Sequence, residues 1–260
     1  MKIIDLFRWS RRPDGCFPIR HDGKTYLVPE RGAKDHLLDQ MRKRRSFYEV
    51  DLLEAVRARA KAGSVAIDVG ANVGNHSLFF SAVMGLRVVA FEPVRVNRDL
   101  LCKLAELNKD HVRIDVVPTA LSDRAGEVRL SAPDVGNPGT FRIAGGAAGF
   151  TAVTERLDDA LRRLAVDPLE VGVLKVDVEG HELQVLEGAP ELLARADPVV
   201  VVEVFTTALF DAVLAKLEPA GYRAVSVHCA TPTVLFCRGV VDAKAEVRER
   251  IALYEAGGRA

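Results

Sequence analysis

The chain has 260 residues, enough for one large α/β domain, and 48% of them are apolar, so folding has an ample hydrophobic drive. Thirty-six basic residues balance thirty-six acidic ones, giving a formal net charge of zero. No basic domain or stripe marks a nucleic-acid binder, so no nucleic-acid partner is expected. The densest cluster, Arg42-Lys43-Arg44-Arg45, reads as a solvated helix face.

Residues 1–60 read as an appendage to the main domain, a hairpin and a helix that serve as a substrate cap. Met1 to Trp9 reads as a short helix docked on the domain. Asp22-Gly23 between two short extended runs is a hairpin signal. Ser46 to Ala62 carries Phe47, Val50, Leu53 and Ala60 near helical spacing, and Gly63 ends that helix.

From residue 61 to the end the texture is that of one domain with alternating strands and helices. Strands are predicted over Val65–Val69, Leu86–Phe91 and Val112–Pro118, with helices over Asn75–Met84 and Asn97–Leu107. Ser131 to Gly149 is rich in Gly, Ala and Pro and reads as a functional loop or lid. A helix near Leu157–Leu164, a strand at Val171–Val178, a helix at Glu182–Leu193 and a strand at Val199–Val204 follow. Phe210–Leu217 is a further helix. Tyr222–Val227 and Val234–Cys237 form an antiparallel hairpin at the sheet edge, and Glu246–Tyr254 closes the chain as a helix. Near-continuous β-branched runs separated by helical patterns predict a mostly parallel sheet with helices on both faces.

The four cysteines, Cys16, Cys102, Cys229 and Cys237, have neither CxxC nor zinc-ligand spacing and read as free thiols. The longest apolar runs fall well short of the roughly 18 to 20 residues that span a bilayer. No membrane span is expected, and the cytoplasm is the expected location. Oligomeric state is left open.

Val65-Ala66-Ile67-Asp68-Val69-Gly70-Ala71-Asn72-Val73-Gly74-Asn75-His76 carries the chemistry of the first site. An apolar strand enters a glycine turn that opens a helix, which lets backbone amides approach a ligand at the carboxyl edge of a parallel sheet. Eighteen residues after Gly74 the second strand ends in Glu92, an acid suited to the two hydroxyls of a ribose. A dinucleotide would require G-x-G-x-x-G, and this turn lacks the second and third glycines of that frame. A cofactor with a ribose and no pyrophosphate fits Asp68 and Asn72 better.

The second site is Lys175-Val176-Asp177-Val178-Glu179-Gly180-His181-Glu182. Period-two geometry puts Lys175, Asp177 and Glu179 on one side. A buried lysine and aspartate require partners, and Glu203 on the next strand is the expected partner of Lys175. Asp177 falls at the ligand-binding end of the sheet and is a candidate general base, with Glu179 and His181 as alternatives. No metal is expected, because one local acid–histidine cluster lacks a second set of ligands. His76 is placed near the cofactor carboxylate or, equally, on the helix surface.

Asp68 through Asn75, Ala90-Phe91-Glu92-Pro93, Ala120-Leu121-Ser122-Asp123, Leu174 through Glu182 and Val185-Leu186-Glu187-Gly188-Ala189 resemble the FkbM family of methyltransferases. The resemblance covers roughly residues 64–205. It implies a Rossmann-like methyltransferase fold, a seven-stranded sheet with an antiparallel last strand, and S-adenosyl-L-methionine as cofactor. It also implies O-methylation of a hydroxyl on a sugar, glycan or polyketide-like metabolite. Carried over by position, Gly70, Asn72 and Gly74 line the methionine end, Glu92 takes the ribose, and Leu121 and Ser122 lie beside the adenine. A simple turn or helix cap explains Ser122-Asp123 as well. The alternatives are a nicotinamide-dependent oxidoreductase, disfavoured by the glycine frame, and a catalytically silent binding module on the same fold.

Overall fold

A computed structural model of the chain describes residues 15–32, 35–60, 64–131, 142–143 and 149–257. The expected helix at Met1–Trp9, Gly63 and most of the Ser131–Gly149 loop lie outside the described residues. The chain opens with the hairpin β1 (Cys16–His21) and β2 (Lys24–Pro29), followed by helices α1 (His36–Arg44) and α2 (Val50–Arg57). The Arg42–Arg44 cluster forms the exposed last turn of α1, a helix that the apolar spacing did not reveal.

The central sheet contains β3 (Val65–Val69), β4 (Arg87–Phe91), β5 (Arg113–Val117), β10 (Val171–Val176), β11 (Val199–Glu203), β12 (Tyr222–His228) and β13 (Thr233–Arg238). Its order is β12-β13-β11-β10-β3-β4-β5. The pairs β3–β4, β4–β5, β3–β10 and β10–β11 are parallel, while β13 is antiparallel to both of its neighbours. This is the Rossmann-like methyltransferase arrangement. The order in which strands are added reverses between β3 and β10, and at such a switch point open α/β sheets bind their ligands.

Helices cover both faces. They are α3 (Asn75–Leu78), which continues as a π-helical turn over Phe79–Val83, α4 (Arg95–Leu107), α5 (Leu157–Arg163), α6 (Glu182–Glu187), α7 (Pro190–Arg195), α8 (Thr207–Leu217) and α9 (Lys244–Glu255). The single helix expected over Glu182–Leu193 is two, because Pro190 has no N–H with which to continue the ladder. The Asp158 carboxylate then accepts from Glu191 N at 2.8 Å and Leu192 N at 3.1 Å, capping the new start.

A second sheet, which the sequence pattern did not show, packs beside the first in the order β6-β9-β7-β8. Its strands are β6 (Ala120–Leu121), β7 (Gly126–Ser131), β8 (Arg142–Ile143) and β9 (Phe150–Glu155). The expected loop therefore starts on the last residue of β7, carries β8 and stops just before β9.

Side-chain alternation divides the core between the two faces of the main sheet. Val65, Ile67 and Val69 of β3 join one cluster with α5 to α9, and Ala66 joins the other. That second cluster also holds Phe17, Tyr26, Leu38, Phe47 and Leu53, so the N-terminal elements share a core with the sheet. Phe47 meets Phe79 edge-on at 5.1 Å. Two asparagines tie the same junction. Asn75 exchanges hydrogen bonds with the Tyr48 backbone, both 3.0 Å, and Asn108 exchanges them with the Leu27 backbone at 3.0 and 2.7 Å.

Candidate active site

At the carboxyl ends of β3, β4 and β10 lies a cleft of about 1150 Å³, its open mouth included. Gly70 and Ala71 leave β3 by donating to the Phe91 carbonyl at 3.0 and 3.1 Å. The turn then runs through left-handed backbone at Gly70, Asn72 and Gly74. A β-carbon at Gly70 would overlap the Asp177 carbonyl oxygen, and one at Gly74 would strike Leu101. Gly70 thus keeps the turn against the end of β10, whereas Gly74 lets α4 pack close and does not line the cleft.

Glu92 is 4% exposed at the end of β4. Its Oε2 accepts from Asn72 N at 2.7 Å and its Oε1 from Val94 N at 2.8 Å. Burial pushes its carboxyl up to about 7, against the pull of those two amides. Each oxygen keeps a further lone pair, and Glu92 lines the cleft together with Gly70, Ala71 and Asn72. The side-chain oxygen of Asn72 has no hydrogen-bond partner among the described residues.

Asp68 lies beneath this turn, wholly buried, and does not line the cleft. Its carboxylate accepts from Ser77 Oγ at 2.6 Å and faces Lys175 Nζ at 3.3 Å. The expected pairing of Lys175 with Glu203 is therefore corrected. In the sheet register Lys175 stands opposite Asp68 on β3 and Val201 on β11. Two residues on, that register sets Glu203 against Asp177. The Lys175 ammonium also reaches Asp177 Oδ2 at 3.3 Å and the Gly70 carbonyl at 2.8 Å. Burial opposes its charge, yet Asp177 and Asp68 raise its pKa above that of an ordinary lysine.

Asp177 and Glu203 form a hydrogen-bonded carboxyl pair on the cleft wall. Burial pushes Asp177 upward, but the Lys175 ammonium and the Glu203 hydrogen bond outweigh it and hold Asp177 below the usual carboxylate range. Burial and the Asp177 charge drive Glu203 strongly upward, so Glu203 holds the shared proton. Glu179 follows in left-handed backbone at φ 58° and also lines the cleft. Glu182, wholly buried at the start of α6, fixes this turn by accepting from Val178 N at 3.1 Å and Gly180 N at 3.0 Å.

His181 lines the cleft, but its Nε2 is 2.9 Å from Ser122 Oγ, and burial lowers its pKa. Ser122 is buried and does not itself line the cleft; Leu121 does. The Ser122 hydroxyl also bonds to Asp123 Oδ1 at 2.9 Å. His76 faces Glu49 across 3.3 Å between Nε2 and Oε2, and its ring lies near-parallel to Phe80. Asp177, Glu179 and His76 thus come together at one end of the cleft, and His181 is tied instead to the turn after β5.

Two contributors escaped the sequence reading, Tyr48 and Glu49, which reach the cleft from the N-terminal segment; a third, Glu203, was given Lys175 as its partner and instead partners Asp177. The Glu49 carboxylate also bonds to the Cys229 thiol. The one sequence signal was Glu203 interrupting an apolar run. Among the described residues no group of three or more His, Cys, Asp or Glu side chains is arranged to hold a metal ion. None of the described helices is long and apolar enough to cross a membrane.

The family profile "Methyltransferase FkbM domain" matches residues 68–224. The chain is 32% identical over 155 residues to the hexuronic acid methyltransferase AglP of Haloferax volcanii, an alignment covering 59% of this chain and 61% of that protein. It is 31% identical over 157 residues to the methyltransferase sdnD of Sordaria araneosa, covering 48% of this chain and 60% of the relative. The chain thus spans about three fifths of the length of these curated relatives. Among solved structures, a T. thermophilus 16S rRNA N2 G1207 methyltransferase in complex with AdoMet and guanosine aligns at 17% identity and a TM-score of 0.48, over 86% of this chain and 50% of that one. With the matched segment spanning both glycine turn and Asp177 strand, the chain belongs to the methyltransferase FkbM domain family.

Proposed function

We propose that the protein is an S-adenosylmethionine-dependent O-methyltransferase that acts on a hydroxyl of a sugar, glycan or related small metabolite. One observation carries this reading: a single cleft joins a buried ribose-type carboxylate, Glu92, to a cluster of proton-handling side chains around Asp177. The residues present fit the cofactor. Glu92 offers free lone pairs to two hydroxyls, and the unpartnered amide oxygen of Asn72 suits the ammonium of a methionine portion. Leu121, Val94 and Leu130 offer an apolar wall for a purine.

When bound, S-adenosylmethionine supplies a methyl group made electrophilic by its sulfonium. The chain's task is then to orient the acceptor, exclude water and manage one proton. Gly70, Ala71 and Asn72 bring main chain to the cofactor, with Glu92 on the ribose. Ser122 holds the His181 ring against the wall, and Leu121 contributes the apolar contact. Asp177, kept ionised by Lys175, faces the reacting end, with Glu179 beside it as the alternative proton acceptor. Lys175 and Asp68 hold Asp177 and the Gly70 carbonyl in fixed relation, which is positioning rather than contact with substrate.

The relatives support the reading, since one is named for a sugar acid and both for methyl transfer. The test is calorimetric titration with S-adenosylhomocysteine, with NAD(H) and NADP(H) as controls. Micromolar binding of the homocysteine product alone is expected. Binding of a dinucleotide instead sinks the reading in favour of an oxidoreductase, and binding of neither favours a silent module.

A further inference from the structure

Two loops from opposite sides of the Glu92 strand close on one stretch of the cleft. In the sheet order β3 and β4 separate β10 from β5, yet His181, beyond β10, meets Ser122, beyond β5. Leu121 directly precedes Ser122, and Val94 and Leu130 pack together beside Ala120. These apolar side chains line the cleft together with the half-buried His181 ring. Both loops are fixed. Glu182 holds the Val178 and Gly180 amides, and Ser122 N donates to the Glu155 carbonyl at 3.0 Å. A β-carbon at Gly188 would overlap the Ser122 carbonyl oxygen, so the end of α6 packs directly on the Ser122 turn.

Hydrogen bonds where the loops meet fix which nitrogen of His181 carries the proton. The Ser122 hydroxyl donates to Asp123 Oδ1 at 2.9 Å and holds that carboxyl below its usual pKa, so Asp123 is ionised and can only accept. A hydroxyl has one proton to give. Toward His181 the Ser122 oxygen is therefore the acceptor, and Nε2, 2.9 Å away, is the donor. Burial pulls the His181 pKa below the usual imidazole value, against the Asp123 and Glu187 charges, which keeps the ring neutral near pH 7. A neutral imidazole with its proton on Nε2 presents Nδ1 as an acceptor. His181 is the N-cap residue of α6 but makes no side-chain cap, so that lone pair is not spent on the helix amides.

We infer that His181 reads the cofactor's base: held as the Nε2–H tautomer by Ser122 and Asp123, it accepts from the 6-amino group of the purine through Nδ1. The inference rests on the S-adenosylmethionine reading and adds a recognition residue to it, with Asp177 and Glu179 left to handle the proton of the acceptor. The site is selective by chemistry. A 6-aminopurine brings a donor to the Nδ1 lone pair, whereas a 6-oxopurine sets a carbonyl oxygen against it, two acceptors with no proton between them. Asp123 does not line the cleft; it acts through Ser122 and is a positioning residue.

The test is a calorimetric comparison of S-adenosylhomocysteine with S-inosylhomocysteine, its 6-oxo counterpart. The wild-type protein is expected to bind the inosyl compound about tenfold more weakly or worse, as an unpaired acceptor in a closed site requires. His181→Phe keeps a ring of similar size and removes the lone pair, and is expected to bring the two affinities within about threefold by weakening the adenosyl compound. Nitrogen-15 NMR of the imidazoles, with His181 assigned by its loss in that variant or in Ser122→Ala, supplies a readout that a merely structural histidine would not move. The His181 proton is expected on Nε2, and the Nδ1 resonance is expected to shift on adding S-adenosylhomocysteine. Should His181→Phe fail to fold, the wild-type spectrum still decides. Equal wild-type affinities, a preference that survives in His181→Phe, or an Nδ1 resonance unmoved by the ligand overturns the inference while leaving the cofactor in place. Failure to bind S-adenosylhomocysteine at all overturns the cofactor reading and this inference with it.

Discussion

The two ends of the cleft are built by different means. The Glu92 end is made largely of main chain: one short segment, residues 70–72, folds onto one acid across a strand pair. The Asp177 end is made of side chains drawn from the N-terminal segment, α3, β10 and β11. Backbone geometry of the first kind is set by local sequence and tolerates little change. A side-chain cluster of the second kind depends on how distant segments meet, and can be retuned without disturbing the sheet. A shared cofactor paired with varied acceptors calls for that division.

The sharpest way to break the comparison is Lys175→Met, which removes the cation common to both ends. It strands Asp68 and Asp177 in the interior and is expected to destabilise the protein by about 3 to 5 kcal/mol. Urea unfolding reads this, and a loss under about 1 kcal/mol would show that neither carboxylate depends on the lysine. Next come paired substitutions read by calorimetry. Glu92→Ala is expected to weaken S-adenosylhomocysteine binding by about thirtyfold or more, as loss of hydrogen bonds to a charged group implies. Asp177→Asn is expected to leave that affinity within about threefold and the fold intact while abolishing methyl transfer. Equal losses of affinity from both would mean that the two ends are one site.

Titration sharpens the same contrast. The folded-state pKa of Glu92 stands at about 7, above its ordinary value, so its contribution to stability is full at acidic pH and is lost as pH rises through about 7. Binding through its carboxylate has the opposite sign and strengthens over that interval. Wild type should lose up to about 3 kcal/mol more than Glu92→Gln on going from pH 5 to pH 8. Parallel stability curves for the two proteins would remove the buried carboxyl from that role. The smallest effect is Ser77→Ala, which deletes one hydrogen bond to Asp68 and should cost about 1 to 2 kcal/mol with product affinity unchanged.

The same division explains what could be read from the sequence. The glycine turn and Glu92 follow from local pattern, because a strand, a left-handed turn and a helix start are all encoded within a dozen residues. Val65–Val69 and the other parallel strands of the main sheet were legible for the same reason. Glu49 was not, since an acid before a helix is ordinary and nothing local says that the helix docks at the mouth of the cleft. Glu203 was seen on the right strand pair but set two residues out of register, against Lys175 instead of Asp177; its partner depends on register, which sequence spacing does not fix. The second sheet was missed because β6 and β8 have two residues each, and β7 and β9 are only partly buried. Asp68 and Gly74 were assigned to the cofactor, whereas one holds Lys175 and the other admits α4.

Lys175 has a further consequence. Its ammonium touches the Gly70 carbonyl in the proposed cofactor turn and the Asp177 carboxylate at the proposed acceptor end. A ligand that shifts the turn therefore alters the field at Asp177, and one that draws on Asp177 alters the hold on the turn. Two ligands joined through one buried charge do not bind independently, and linkage makes their influence reciprocal. On the proposed methyltransferase reading, whatever factor the spent cofactor imposes on acceptor affinity, the acceptor imposes on the affinity for the spent cofactor.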